Sequence, residues 1–125
     1  AIERVIDEKV APKLRCRILA EAANGPTTPE ADEILDQRRD EIFVIPDILC
    51  NSGGVIVSYF EWVQDLQQLF WRRAEVINRL KDLLDDAFGR VMARVEKDKV
   101  SHRMAAMAIG VDKVAKAKAT RGLFP

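Results

Sequence analysis

Histidine and cysteine are scarce here: one of the first and two of the second in 125 residues. That scarcity excludes whole classes of chemistry. One histidine with two distant thiols cannot build a zinc-type ligand set, and it supports no Ser/His/Asp arrangement. Cys16 and Cys50 form no CxxC pair, so the reading is reduced thiols in a cytoplasmic setting rather than a disulfide framework. Net charge is also lacking, with 20 basic against 20 acidic residues, which removes the global electrostatic case for nucleic acid or an anionic membrane. No apolar run approaches the ~20 residues needed to span a bilayer. There is no initiating methionine. The chain opens at Ala1 within a helical pattern, which fits ordinary processing and fits equally a piece of a longer protein. The Lys97–Arg121 stretch and the acidic run from Glu30 to Asp40 read as solvated faces.

What is present suits one soluble α/β unit, 48% hydrophobic and 32% charged. Residues 1–13 carry Ile2, Val5, Ile6 and Val10 at helical spacing, with Pro12 as a stop, and predict a helix. Arg17-Ile18-Leu19-Ala20 predicts a short strand, which by itself could equally be helix. Ala23-Asn24-Gly25-Pro26 breaks it. Thr27-Thr28-Pro29-Glu30 predicts a helix start, with Glu30 able to close a capping box on Thr27. Ala31, Ile34 and Leu35 are that helix's buried face, and its end falls near Arg38-Arg39. The β-branched run Ile42–Ile45 before Pro46 is a second strand. Strand, helix, strand is a right-handed parallel βαβ unit.

From Val55 onward the pattern is helical. Val55, Ile56, Tyr59, Phe60, Val63, Leu66 and Phe70 form one apolar face, and Val76 to Val95 a second, long stripe. Ser101 is the expected cap of a last helix, with Met104, Met107, Ala108, Val111, Val114 and Ala115 on its buried side. Gly122 is its stop. Trp62 and Trp71 read as core or interface anchors. His102, next to Ser101, reads as a solvated surface residue. Two parallel strands are too few to be stable alone, so the expected fold is the C-terminal part of a larger sheet whose first strands lie upstream.

Two stretches can carry chemistry. Parallel strands deliver their following loops to one sheet edge, where ligands of open α/β sheets bind. Asn24 should therefore approach Asn51. Two amides beside a helix N-terminus suit a sugar, a carboxamide or a carboxylate. Plain turn chemistry explains Asn24-Gly25 and Asn51-Ser52-Gly53-Gly54 equally well. Ser58, one helical turn past Gly54, either donates to a bound carboxylate or bonds back to its own helix.

These same residues carry a family resemblance. Ala20-Glu21-Ala22-Ala23-Asn24-Gly25-Pro26-Thr27-Thr28-Pro29-Glu30-Ala31-Asp32 closely resembles a signature of the glutamate dehydrogenases. So does the run from Ile45 through Pro46-Asp47-Ile48-Leu49-Cys50-Asn51-Ser52-Gly53-Gly54 to Trp62. The closing Arg121-Gly122-Leu123-Phe124-Pro125 is similar to the family's usual end. The Gly-Pro-Thr-Thr-Pro run points to the glutamate enzymes rather than their leucine, phenylalanine or valine relatives. Ala22 and Ser52 depart mildly, standing where glycine and alanine are usual.

The resemblance implies a Rossmann-type, doubly wound α/β sheet represented here by two short parallel strands and followed by long helices. Residues 1–72 would close the dinucleotide-binding domain, and residues 73–125 would pack back toward a substrate domain. It implies oxidative deamination of L-glutamate to 2-oxoglutarate and ammonia with NAD or NADP, in a homo-oligomer, typically a hexamer. Asn24 and Asn51 would contact the nicotinamide-ribose end of the cofactor. Ser58 would bond the substrate side-chain carboxylate, and Val55 would line the pocket beside it. The family's catalytic lysine in Pro-x-Lys-Gly-Gly, its catalytic aspartate and its glycine-rich pyrophosphate turn are not in this sequence and lie upstream in the family. The chain alone is thus expected to be inactive. Two other readings remain open: a non-catalytic helical interaction module derived from this family, and a dehydrogenase of another amino acid.

Overall fold

A computed structural model describes residues 3–122. Its elements, in chain order, are β1 (Ile18–Ala20), α1 (Pro29–Gln37), β2 (Phe43–Ile45), a single turn α2 (Asp47–Cys50), α3 (Gly53–Gln67), α4 (Arg73–Asp98) and α5 (His102–Arg121), preceded by one 3-10 turn at Ala11–Lys13. β1 and β2 are parallel, in register Ile18 to Phe43, Leu19 to Val44 and Ala20 to Ile45. With α1 between them they form the expected βαβ unit.

Among the described residues the N-terminal helix does not form. After Arg4, held at φ 54°, Ile6 instead makes an extended, parallel bridge to Thr27. Ile6 takes the Pro26 carbonyl and gives its own to the Thr28 N–H. Asp7 explains the departure. Its carboxylate accepts from the N–H groups of Lys9 (3.0 Å) and Val10 (2.9 Å), offering the backbone a turn in place of a helix. Of the periodic residues, Ile6 is half-buried while Val5 and Val10 are exposed. Ile2 lies outside the described residues.

α1 starts as the Thr-Thr-Pro run predicts, with the cap one residue later than the capping box requires. Thr28 accepts from the Ala31 N–H at 3.3 Å, and Pro29 occupies the first position. Thr27 is drawn away to Glu21 instead. The first core lies under this unit: Ala11, Ala31, Leu35 and Ile42, flanked by Leu14, Leu19 and Val44.

The long helices pack differently from their stripes. α4 and α5 meet through Val91, Ala105 and Ala106, with Val95 and Ile109 beside them. On α5 the small residues face inward, and Met104, Met107, Val111 and Val114 are exposed. On α3 Phe60 is buried, whereas Val55, Tyr59, Trp62 and Leu66 are exposed, as is Phe70 just beyond it. Backbones approach closely where side chains are small, so Ala105-Ala106 sets the α4–α5 contact. Trp71 does anchor: its ring meets Phe60 at 5.5 Å and lies 4.3 Å under the Arg79 guanidinium. The buried Gln64 fixes that corner by accepting from the Trp71 N–H at 2.5 Å. Ser101 caps α5 by accepting from Met104 N–H, and Gly122 ends it at φ 77°. Leu123-Phe124-Pro125 fall outside the described residues. No helix among the described residues is long and apolar enough to cross a membrane.

Candidate functional site

The carboxyl ends of β1 and β2 open onto one edge, and the two asparagines meet there. Asn51 Nδ2 donates to Asn24 Oδ1 at 2.5 Å, across 27 residues of chain. A carboxamide has two donors and one two-lone-pair oxygen. This bond therefore leaves the Asn24 Nδ2 donors and the Asn51 oxygen free to serve a ligand. Gly25, beside Asn24, sits at φ 54°, a left-handed backbone that glycine adopts without strain.

The second loop is shorter than its Asn-Ser-Gly-Gly composition suggests. Asn51 and Ser52 both hold right-handed helical angles, so α2 and α3 follow each other with scarcely a break. Ser52 caps no N–H; its hydroxyl donates back to the Leu49 carbonyl at 2.7 Å. Gly53 and Gly54 are thus the first turn of α3 rather than a loose loop. A Cβ on Gly54 would meet nothing within 4 Å, so the bare backbone there faces open space. Val55 and Ser58 are exposed on α3. Three residues apart, they lie side by side on the helix, Ser58 about 6 Å of helix rise beyond Gly54.

Beneath this edge lies a polar cluster that composition and spacing did not reveal. Glu21, directly after β1, is 2% exposed. Its carboxylate accepts from Thr27 Oγ1 (2.5 Å), the Asp47 N–H (2.9 Å) and Arg103 Nη2 (2.6 and 2.7 Å). Arg103 comes from the first turn of α5, and each of its nitrogens has a carboxylate. Nε meets Asp32 at 3.0 Å, Nη1 meets Asp47 at 2.9 Å and Nη2 meets Glu21. Burial opposes the charge, but the bonds from Glu21 and Asp32 outweigh it and hold the guanidinium pKa above its ordinary value. Asp47 divides its oxygens: Oδ1 takes Arg103 and Oδ2 takes the Gly25 N–H at 2.8 Å. A charged residue closing an apolar strand, as in Leu19-Ala20-Glu21, is a sequence signal for such a cluster. The 82 residues between Glu21 and Arg103 hide the pairing.

His102, next door, is not the solvated residue expected. Its ring packs on Phe43 at 4.3 Å. Burial lowers its pKa, against an opposing effect of Asp36, with Arg39 adding to the lowering. No group of three or more His, Cys, Asp and Glu among the described residues could hold a metal ion. Both cysteines are free thiols.

Parallel strands joined through a helix, with their loops converging on one edge, place this chain in the Rossmann-type α/β class. Within that class, the sequence profile of the Glutamate/Leucine/Phenylalanine/Valine dehydrogenases matches residues 1–122, and the chain belongs to that family. It is 50% identical to a glutamate dehydrogenase of Thermotoga maritima over all 125 residues, which is 30% of that protein's length. It is 43% identical to an NAD-specific glutamate dehydrogenase of Staphylococcus aureus, matching 98% of this chain and 29% of the relative. The fold superimposes on the crystal structure of the Peptoniphilus asaccharolyticus glutamate dehydrogenase with a TM-score of 0.89, at 39% identity over 99% of this chain and 31% of the other. A hetero-hexameric glutamate dehydrogenase of Thermus thermophilus, in its leucine-bound form, also gives 0.89, at 32% identity over 98% of this chain and 29% of that one. The chain thus spans about a third of the length of the relatives it matches.

Proposed function

We propose that this chain is the cofactor and substrate wall of an NAD- or NADP-dependent glutamate dehydrogenase, which oxidatively deaminates L-glutamate to 2-oxoglutarate and ammonia. The observation that carries the reading is the Asn51–Asn24 bond at the strand ends, in a chain half identical to a named glutamate dehydrogenase. The donor set fits a nicotinamide ribose. The paired carboxamides keep both donors and an acceptor for ribose hydroxyls or a carboxamide, and neither is charged. The open backbone at Gly54 lets a planar ring come close.

In this reading Asn24 and Asn51 orient the nicotinamide-ribose end. Ser58 donates its hydroxyl to the glutamate side-chain carboxylate, and Val55 packs beside the substrate's methylene groups. A nicotinamide dinucleotide, when bound, supplies the hydride acceptor for the substrate α-carbon. Proton transfer belongs to residues outside these 125. Residues 1–72 close the dinucleotide domain, and residues 73–125 pack back toward the substrate domain. The exposed apolar residues support this division. Ile48, Met107, Val111 and Val114 line an uncovered groove between α2 and α5, and Tyr59, Trp62 and Leu66 form an uncovered face on α3. The hetero-hexameric Thermus relative supports an oligomer.

The test is a graft. The 125 residues replace the matching part of the Thermotoga maritima enzyme, and glutamate-dependent reduction of NAD and NADP is followed at 340 nm. The graft is expected to turn over glutamate and the isolated chain to be inactive. A folded, assembled graft that binds dinucleotide and oxidises leucine, phenylalanine or valine in preference to glutamate would overturn the substrate assignment. Loss of dinucleotide binding would overturn the cofactor assignment and favour a non-catalytic module.

A further inference from the structure

We propose that Arg103 is a positioning residue for the dinucleotide: through Asp47 it sets the spacing of the two asparagine loops from the far end of the chain. The proposal rests on the cofactor reading above and adds a residue and a route to it.

The hydrogen bonds give the route. Asp47 touches the neighbour of one asparagine and the other asparagine itself. Its Oδ2 holds the Gly25 N–H, one residue from Asn24, at 2.8 Å. Its backbone carbonyl accepts the Asn51 N–H at 3.0 Å. Its own N–H is given to Glu21 at 2.9 Å. The other oxygen, Oδ1, receives Arg103 Nη1 at 2.9 Å and the Ile48 N–H at 2.8 Å. One residue thus sits between the loops, and the guanidinium, together with the Ile48 and Gly25 N–H groups, fixes its rotamer.

Three carboxylates, from Glu21, Asp32 and Asp47, converge on this single cation. Without it they repel one another, and of the three Asp47 is the one that also holds the Gly25 N–H. Glu21 is sealed by Thr27 and the Asp47 N–H, and a shift of Asp47 releases Gly25. A planar guanidinium presents donors in three directions at once, whereas an ammonium is a point charge on a flexible stem. Lysine at this position therefore keeps the positive charge and loses the geometry. Val55 and Ser58, the residues assigned to glutamate, belong to α3 and take no part in the network. The two ligands should consequently respond differently.

The experiment uses the grafted enzyme, with reduced dinucleotide binding read by its fluorescence, glutamate KM at saturating dinucleotide, and Tm. Arg103→Lys and Asp47→Asn are each expected to raise the dinucleotide Kd about tenfold, the scale of one lost charge-assisted hydrogen bond. Glutamate KM should stay within about twofold. Arg94→Lys, which disturbs ion pairs to Asp98 within α4 and to Asp112 on α5, should leave both unchanged. A dinucleotide Kd within about twofold of the parent in Asp47→Asn would overturn the proposal. So would Kd and KM rising together as Tm falls, the mark of a merely structural role. Should Arg103→Lys fail to assemble, Asp47→Asn, which keeps the guanidinium, decides the matter. A parent graft that binds no dinucleotide overturns the cofactor reading itself, an outcome visible before any variant is made.

Discussion

Removing the Glu21 carboxylate tests the buried cluster most directly. The side chain is fully buried, and its two oxygens take four hydrogen bonds from Thr27, Asp47 and Arg103. In Glu21→Ala the Arg103 charge keeps two carboxylates but loses the innermost one. The Asp47 N–H and Thr27 hydroxyl lose their acceptor as well. Deleting one member of a buried pair costs about 3–5 kcal/mol. Glu21→Gln keeps the volume and one acceptor. Each carboxylate oxygen accepts from Arg103 and from a second donor, so the new NH2 must face a donor whichever way the amide turns. An unsatisfied contact of that kind costs about 1–3 kcal/mol. The order is wild type above Gln above Ala. Urea unfolding of the chain followed by circular dichroism reads it. At a denaturant sensitivity of about 2 kcal/mol/M, a 4 kcal/mol loss lowers the midpoint by about 2 M. A Gln variant as stable as the wild type, or an Ala variant within about 1 kcal/mol of it, would refute the reasoning, because a buried acceptor of three donor groups cannot be lost so cheaply.

Two further outcomes follow from the packing. Leu35→Ala empties a site 1% exposed between Ala31 and Ile42 and should cost about 2–5 kcal/mol by the same denaturation assay. His102 has its pKa lowered by burial against Phe43. The unfolded chain then binds the proton more readily, so stability falls as pH drops from above the ordinary histidine value of 6.5 toward the lowered folded value. His102→Gln should flatten that part of the stability–pH curve, measured as Tm against pH. An unchanged slope would show that His102 is solvated when the chain is folded.

Both strands, α1 with its Thr-Pro start, the Ser101 cap and the Gly122 stop are legible in the sequence because each rests on local chemistry. So is the approach of Asn24 to Asn51, which follows from two parallel strands alone. Periodicity failed in two ways. At residues 1–13 it matched a helix, and a single aspartate overrode it by bonding the backbone N–H groups two and three residues on. On α3 and α5 it found apolar faces, and most of the large residues on them are exposed rather than buried. Larger side chains such as Met107 and Tyr59 are exposed, while alanines make the contact with α4. The Glu21–Arg103 pairing was out of reach, since nothing local links residues 82 positions apart.

That separation also fixes an order of events. Arg103 leaves the ribosome after every carboxylate it binds, and the loop it completes is among the longest in the chain. Contacts of such sequence separation form late, because their closure entropy is met only once nearer structure exists to reward it. The βαβ unit and its asparagines can assemble while α5 is still being made, with three carboxylates held close and no cation among them. Arrival of the last helix neutralises them and locks the loops. A chain stopped before α5 would keep its βαβ unit with the three carboxylates unneutralised.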